Sequence, residues 1–108
     1  MITAAILICL APVAYDGDTV RCGTSPARVR LYGVQAPEIG QPGATGAKAA
    51  LQVAAAGGLI CDPRGTNYSR IVALCRNAAG VDVAQQLLTA GHVTEWCAYS
   101  RNYYRTCP

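Results

Sequence analysis

Six cysteines in 108 residues constrain this chain more than any other feature. They stand at positions 9, 22, 61, 75, 97 and 107, with successive spacings of 13, 39, 14, 22 and 10. A metal-binding reading needs close pairs of the C-x2-C kind, which these spacings do not provide. An even count in a short chain reads instead as three disulfides and an oxidising compartment. The chain has use for such staples. It is 52% hydrophobic, enough for a globular domain, but it has no Phe and relies heavily on Ala and Val. Small side chains bury little area each, and a single domain of this length has a narrow stability margin.

The apolar start, "MITAAILICLAPVA", is too short to span a bilayer. It reads as a first strand or as the remnant of a signal peptide without its basic region. We take residues 1–7 as leader-like and 8–108 as the domain. Residues 8–15 and 18–23 flank Asp16-Gly17, a hairpin signal, with Pro12 confined to an edge or bulge. Residues 28–34 alternate: Val29 and Leu31 face one way, Arg28, Arg30 and Tyr32 the other, after a turn over 23–27. A helix starts at Ala44, packs through Ala47, Leu51, Ala54 and Ala55, and stops at Gly57-Gly58. Residues 59–65 and 69–77 form a second hairpin. A second helix follows, capped by Asp82, packed through Val83, Leu87 and Leu88, and ended by Gly91. The predicted fold is mainly β with α, a five-stranded OB-like barrel with two helices packed against it. Fifteen pairings of six cysteines are possible. Hairpin geometry favours Cys9–Cys22 and Cys61–Cys75, and Cys97–Cys107 then closes a short loop in the tail.

Charge is distributed unevenly. Of six acidic residues, Asp16, Asp18 and Glu38 fall within residues 15–38, and Arg28 and Arg30 lie between them. Such a cluster suits a site for a charged substrate. All the basic residues but Lys48 are arginines, which grip phosphate bidentately. The net charge of +3 is too modest to establish polyanion binding alone. Each piece also has an ordinary explanation. Asp16-Gly17-Asp18 is normal turn chemistry. Arg28 reads as a solvated strand residue and Arg70 as a surface charge. His92, the one histidine, sits just past the helix-closing Gly91 and reads as structural. Trp96, Tyr99, Tyr103 and Tyr104, interleaved with Arg101 and Arg105, suit either base stacking or the covering of a small core.

Taken together, "DGDT" (16–19), "VRLYGVQAPE" (29–38), "NYSRIVA" (67–73) and "LLTAG" (87–91) resemble the staphylococcal (thermo)nuclease-like family in order and spacing. The resemblance covers roughly residues 9–99. It implies an OB-like barrel and calcium-assisted hydrolysis of phosphodiesters in DNA and RNA. Residue by residue, it implies that Arg30 and Arg70 are catalytic arginines and Glu38 the general base. It implies a metal site of Asp18, with Asp16 beside it and the carbonyl of Ala36, and a nucleotide pocket lined by Tyr68 and Tyr99. Three departures stand out. Gln35 occupies the place of a metal-ligating aspartate, Ser69 that of a glycine, and the Cys97–Cys107 loop stands where the family has a longer helix. Removing one negative charge predicts weak or substrate-dependent calcium binding. The implied protein is a monomeric, secreted or periplasmic nuclease acting on single-stranded DNA or RNA, without stable membrane insertion. The alternative is a catalytically impaired module of the same shape that binds nucleic acid or a protein.

Overall fold

The N-terminal apolar run does not form one strand. Leu7–Cys9 (β1) and Pro12–Ala14 (β2) are divided at Leu10-Ala11, where Ala11 takes a left-handed φ of 47°. The computed structural model describes residues 5–23 and 28–108. Residues 1–4 of the leader-like segment, and all but Gly23 of the turn expected over 23–27, lie outside the described residues. After β2 come Thr19–Cys22 (β3), Arg28–Leu31 (β4), Val34–Gln35 (β5) and helix Ala44–Ala54 (α1). Then follow Leu59–Asn67 (β6), Arg70–Asn77 (β7), helix Val83–Thr89 (α2), Thr94–Glu95 (β8) and the one-turn helix Cys97–Ser100 (α3).

Six strands make one sheet in the order β1-β6-β7-β4-β3-β2, and β5 pairs with β8 in a second. Among the described residues, only the β4–β7 pairing is parallel. The two edge strands of the large sheet, β1 and β2, are neighbours in the chain with two residues between them. A sheet whose opposite edges are so joined must curl, and the fold is accordingly a strand-rich, barrel-like half-cylinder with three helices. Among the described residues, eight strands form where the sequence predicts five. The bend at Ala11 splits the first strand, and β5 and β8 are too short to show a period.

The predicted disulfides are all present, Cys9–Cys22, Cys61–Cys75 and Cys97–Cys107. Cys61 and Cys75 oppose each other across β6 and β7, as in a simple hairpin. The setting of Cys9 differs from the predicted hairpin. Pro12 opposes Cys22, whereas Cys9 opposes Leu59 of β6. The Cys9–Cys22 bond therefore ties one edge of the sheet to the strand beside the other edge. Pro63, which cannot donate to a ladder, lies where the β6–β7 register shifts and where β1 has already ended.

The core is built from small parts: Val20, Val29, Val34 and Val83, with Leu31, Leu51, Leu59 and Leu87 as its largest fully buried side chains. Helix α1 buries Ala47, Leu51 and Ala54, the face predicted for it, with Ala55 just beyond. It also serves the edge of the sheet. Gln52 accepts from the Ala14 N–H at 2.8 Å and donates to the Pro12 carbonyl at 3.0 Å, occupying backbone groups of β2. Asp82 caps α2 by accepting from the Gln85 N–H, and also accepts the Tyr104 hydroxyl at 3.0 and 3.2 Å. Burial, then the Asp82 carboxylate, push the Tyr104 phenol above its ordinary range and keep it a donor.

The tail is organised by one carboxylate. Glu95 accepts from Ser100 Oγ, the Tyr104 N–H, and both the N–H and Oγ1 of Thr106, at 2.6–3.0 Å. Together with the Cys97–Cys107 bond, these contacts hold Arg101, Asn102 and Arg105 in left-handed conformations that side chains disfavour. Burial by itself would raise the Glu95 carboxyl, but the hydrogen bonds from Ser100, Tyr104 and Thr106 outweigh it and pull it from 4.5 to about 2. A depressed carboxylate stabilises the fold fully above its unfolded value and loses that contribution as pH falls through the folded one. The stability difference between wild type and Glu95→Gln should be constant near neutrality and shrink between about pH 4.5 and 2. Thermal melts across that range check this; a difference that stays constant down to the acid end contradicts it.

Candidate functional site

The turn between β2 and β3 spans residues 15–18 and is closed by the Tyr15 N–H donating to the Thr19 carbonyl at 2.8 Å. It is wider than a two-residue Asp-Gly hairpin. Its glycine is required by close approach. A Cβ on Gly17 would sit 2.6 Å from that of Ala47 and 2.7 Å from that of Ala36. The turn thus seats directly on α1 and on the segment after β5, which sets the positions of Asp16 and Asp18. Gly17→Ala should cost about 1–3 kcal/mol as an overpacked contact. Chemical denaturation checks this, and a wild-type midpoint in the variant contradicts it.

Strand register sets the arginines. In the parallel β4–β7 pair, Arg28 lies opposite Arg70 and Arg30 opposite Val72. Alternation along β4 then puts Arg28, Arg30 and Arg70 on one face, with Val29 and Leu31 in the core behind them. The β6–β7 hairpin ends in a tight turn at Tyr68-Ser69, with Tyr68 left-handed at φ 57° and 96% exposed.

These elements surround a cleft of about 700 Å³. Asp16, Asp18, Arg30, Gln35, Ala36, Glu38, Tyr68, Arg70 and Tyr99 all line it, which is the whole set of site residues named from the sequence apart from the cysteines. They come from the β2–β3 turn, β4, the end of β5 and the segment after it, the β6–β7 hairpin and the tail. His92 lies elsewhere, against α1 and α2.

Asp18 is the anchor of the cleft at 7% exposure. One oxygen accepts from Thr19 Oγ1 at 2.9 Å and the other from the Ala36 N–H at 3.0 Å. Arg30 Nη1 stands 3.7 Å from the second oxygen. Arg30 is itself 6% exposed; it donates to the Val34 carbonyl at 3.2 and 3.3 Å and lies over the Trp96 ring, 4.7 Å from its centroid. A buried guanidinium so braced cannot swing away, and its remaining donors are directed by the protein. Arg70 is steered by Asn67, whose Oδ1 accepts from its Nη2 at 3.4 Å. Asp16 accepts from the Asp18 N–H at 3.0 Å. Burial, and then the adjacent Asp18 side chain, raise the Asp16 carboxyl above its ordinary value. Glu38 is exposed at the rim.

Two supporting roles go beyond the sequence reading: Trp96 figures there only for base stacking or core cover, and Asn67 only as a letter of a motif. Trp96 supports Arg30 and packs against Tyr99 at 4.1 Å between ring centroids. Asn67 orients Arg70 and was readable within the "NYSR" motif, whereas nothing near Trp96 points to a guanidinium 66 residues away. Arg28 is not simply solvated: its Cζ lies 4.1 Å from the centroid of Tyr15. The oxygen-bearing residues lining the cleft include Asp16, Asp18, Gln35, Ala36 and Glu38, along with Thr66, Asn67, Tyr68 and Tyr99. Compared with known proteins, the chain matches no family model and no curated sequence.

Proposed function

We propose that this cleft binds a phosphodiester of single-stranded DNA or RNA and hydrolyses it without sequence preference. On this reading the chain is a monomeric, secreted or periplasmic member of the staphylococcal-nuclease-like family with an OB-like barrel. The observation that supports it best is the meeting of Asp18, Arg30, Glu38 and Arg70, from separate segments, on one concave surface. Three disulfides and the absence, among the described residues, of a helix long and apolar enough to cross a membrane are compatible with that location.

Phosphodiester hydrolysis demands on the order of 20 kcal/mol of transition-state stabilisation. Attack by water places negative charge on the non-bridging phosphoryl oxygens. Arg30 and Arg70 meet that charge with preset donors, one held by Val34 and Trp96, the other by Asn67. Glu38, at the rim, accepts a proton from the attacking water, an effect of about 10² to 10⁴. The water oxygen bonds to phosphorus as the bond to the leaving sugar oxygen breaks, and that oxygen takes a proton from solvent to leave as an alcohol. Asp16, Asp18, Gln35 and the Ala36 main chain are the residues that would hold calcium, and all are oxygen donors of the kind calcium takes. When bound, calcium supplies charge beside the phosphoryl oxygens and a lowered pKa for a coordinated water. Gln35 brings a neutral oxygen, and both Asp18 oxygens already accept from protein donors, so its affinity should be about millimolar or depend on substrate phosphate.

The same two facts favour a second reading, a nucleic-acid-binding module with impaired catalysis. Incubating single-stranded DNA with calcium or chelator, with Gln35→Asp in parallel, separates the two. Cleavage by wild type that is sensitive to chelator, and that needs less calcium in Gln35→Asp, is expected. Cleavage appearing only in Gln35→Asp contradicts the enzyme and supports the module.

A further inference from the structure

The sheet register sets three arginines side by side. Arg21 of β3 lies opposite Arg28 of β4, and Arg28 lies opposite Arg70 of β7. Residues paired in register share a face, and adjacent strands are about 4.8 Å apart, so the row spans about 10 Å. Like charges directly opposite each other destabilise a sheet. Among the described residues, the ion pairs are Arg30–Asp18 and Arg64–Asp62, and none of the three arginines in the row takes part in one. Arg28 is instead held half-buried over the Tyr15 ring, while Arg21 is exposed and Arg70 opens into the cleft. A row of uncompensated, aligned guanidiniums that begins inside a concave site and runs outward matches a chain of phosphates better than an isolated one.

We propose that Arg21, Arg28 and Arg70 form a phosphate track that carries a single nucleic-acid strand out of the cleft. Arg21 and Arg28 each neutralise a phosphate beyond the one bound at Arg30 and Arg70. The track rests on the phosphodiester reading of the cleft and extends it: the protein prefers strands of several nucleotides to dinucleotides. A flat anionic membrane could reach Arg21 but not Arg70 within its cleft, so the strand is the occupant that uses the whole row.

Fluorescence anisotropy in chelator, with labelled octathymidylate and dithymidylate, tests this. Wild type should bind the octamer more tightly than the dimer. Arg21→Gln/Arg28→Gln should lower the octamer-to-dimer affinity ratio about tenfold and flatten the log–log salt slope for the octamer by about 1.4, or 0.7 per lost phosphate contact. If the double variant melts early, Arg21→Gln alone, at an exposed position, should give a shift of about 0.7. A ratio and slope equal to wild type, while Arg30→Ala weakens octamer binding, overturn the track and leave the cleft reading standing. Wild type that binds neither oligonucleotide overturns both. Loss of binding to phosphatidylserine–phosphatidylcholine vesicles in the double variant, with octamer binding intact, assigns the row to a lipid surface and overturns the track.

Discussion

Arg30→Ala should lower phosphodiester cleavage by about 10²- to 10³-fold, the effect of deleting one preset transition-state donor. The expected loss is large because the wild-type guanidinium is 6% exposed and fixed on three sides, by the Val34 carbonyl, the Trp96 ring and Asp18. Water filling the vacated space cannot reproduce a fixed fork of donors. Asp18 keeps its bonds from Thr19 and the Ala36 N–H, so the variant should still fold. Arg30→Lys keeps the charge but loses the bidentate geometry and the guanidinium's contact over the Trp96 ring, and should recover little of the activity. Single-turnover cleavage of a short single-stranded DNA, with a thermal melt on each variant, checks both. Arg30→Ala within threefold of wild type contradicts the role given to Arg30.

Removing the Cys9–Cys22 bond with paired serines should cost about 2–5 kcal/mol, the usual range for a native disulfide in a small domain. Loop entropy alone, for a closed loop of about 15 residues, accounts for about 3 kcal/mol of that. The fold adds a second reason. The bond ties β1, one edge of the curled sheet, to β3 beside the other edge. Without it, β1 keeps its three-residue pairing with β6 and the packing of Leu7 on the core, but no cross-link to the far side of the sheet. Serines at Cys97 and Cys107 should cost less, because Glu95 and the Tyr104–Asp82 bonds still hold the tail. Denaturant midpoints rank the two variants; a larger loss at Cys97–Cys107 contradicts this account of how the sheet closes.

What was legible in the sequence follows from local pattern. Alternation along 28–31 fixes which side of β4 carries Arg30, and Asp82 and Leu87 mark α2. The parallel pairing of β4 with β7, some forty residues apart, has no local signature, yet it is what brings Arg70 beside Arg28. The bend that separates β1 from β2 was hidden for a different reason: it is made by Ala11, without the Gly, Asn or Asp that normally marks a left-handed residue. The support of Arg30 by Trp96 and the seating of Gly17 on Ala47 are tertiary contacts, so the motif residues could be named while the way they are held could not.

The most direct measurement is a set of proton–nitrogen correlation spectra of the isotope-labelled protein titrated with a thymidine dinucleotide phosphorothioate, which resists hydrolysis. Binding between the two guanidiniums should shift the side-chain signals of Arg30 and Arg70 and the amides of Asp18, Ala36 and Tyr68 together, along one saturation curve, and leave the 78–80 turn and His92 unmoved. Shifts that spare Arg30 and Arg70 and gather on another surface would contradict the phosphodiester site.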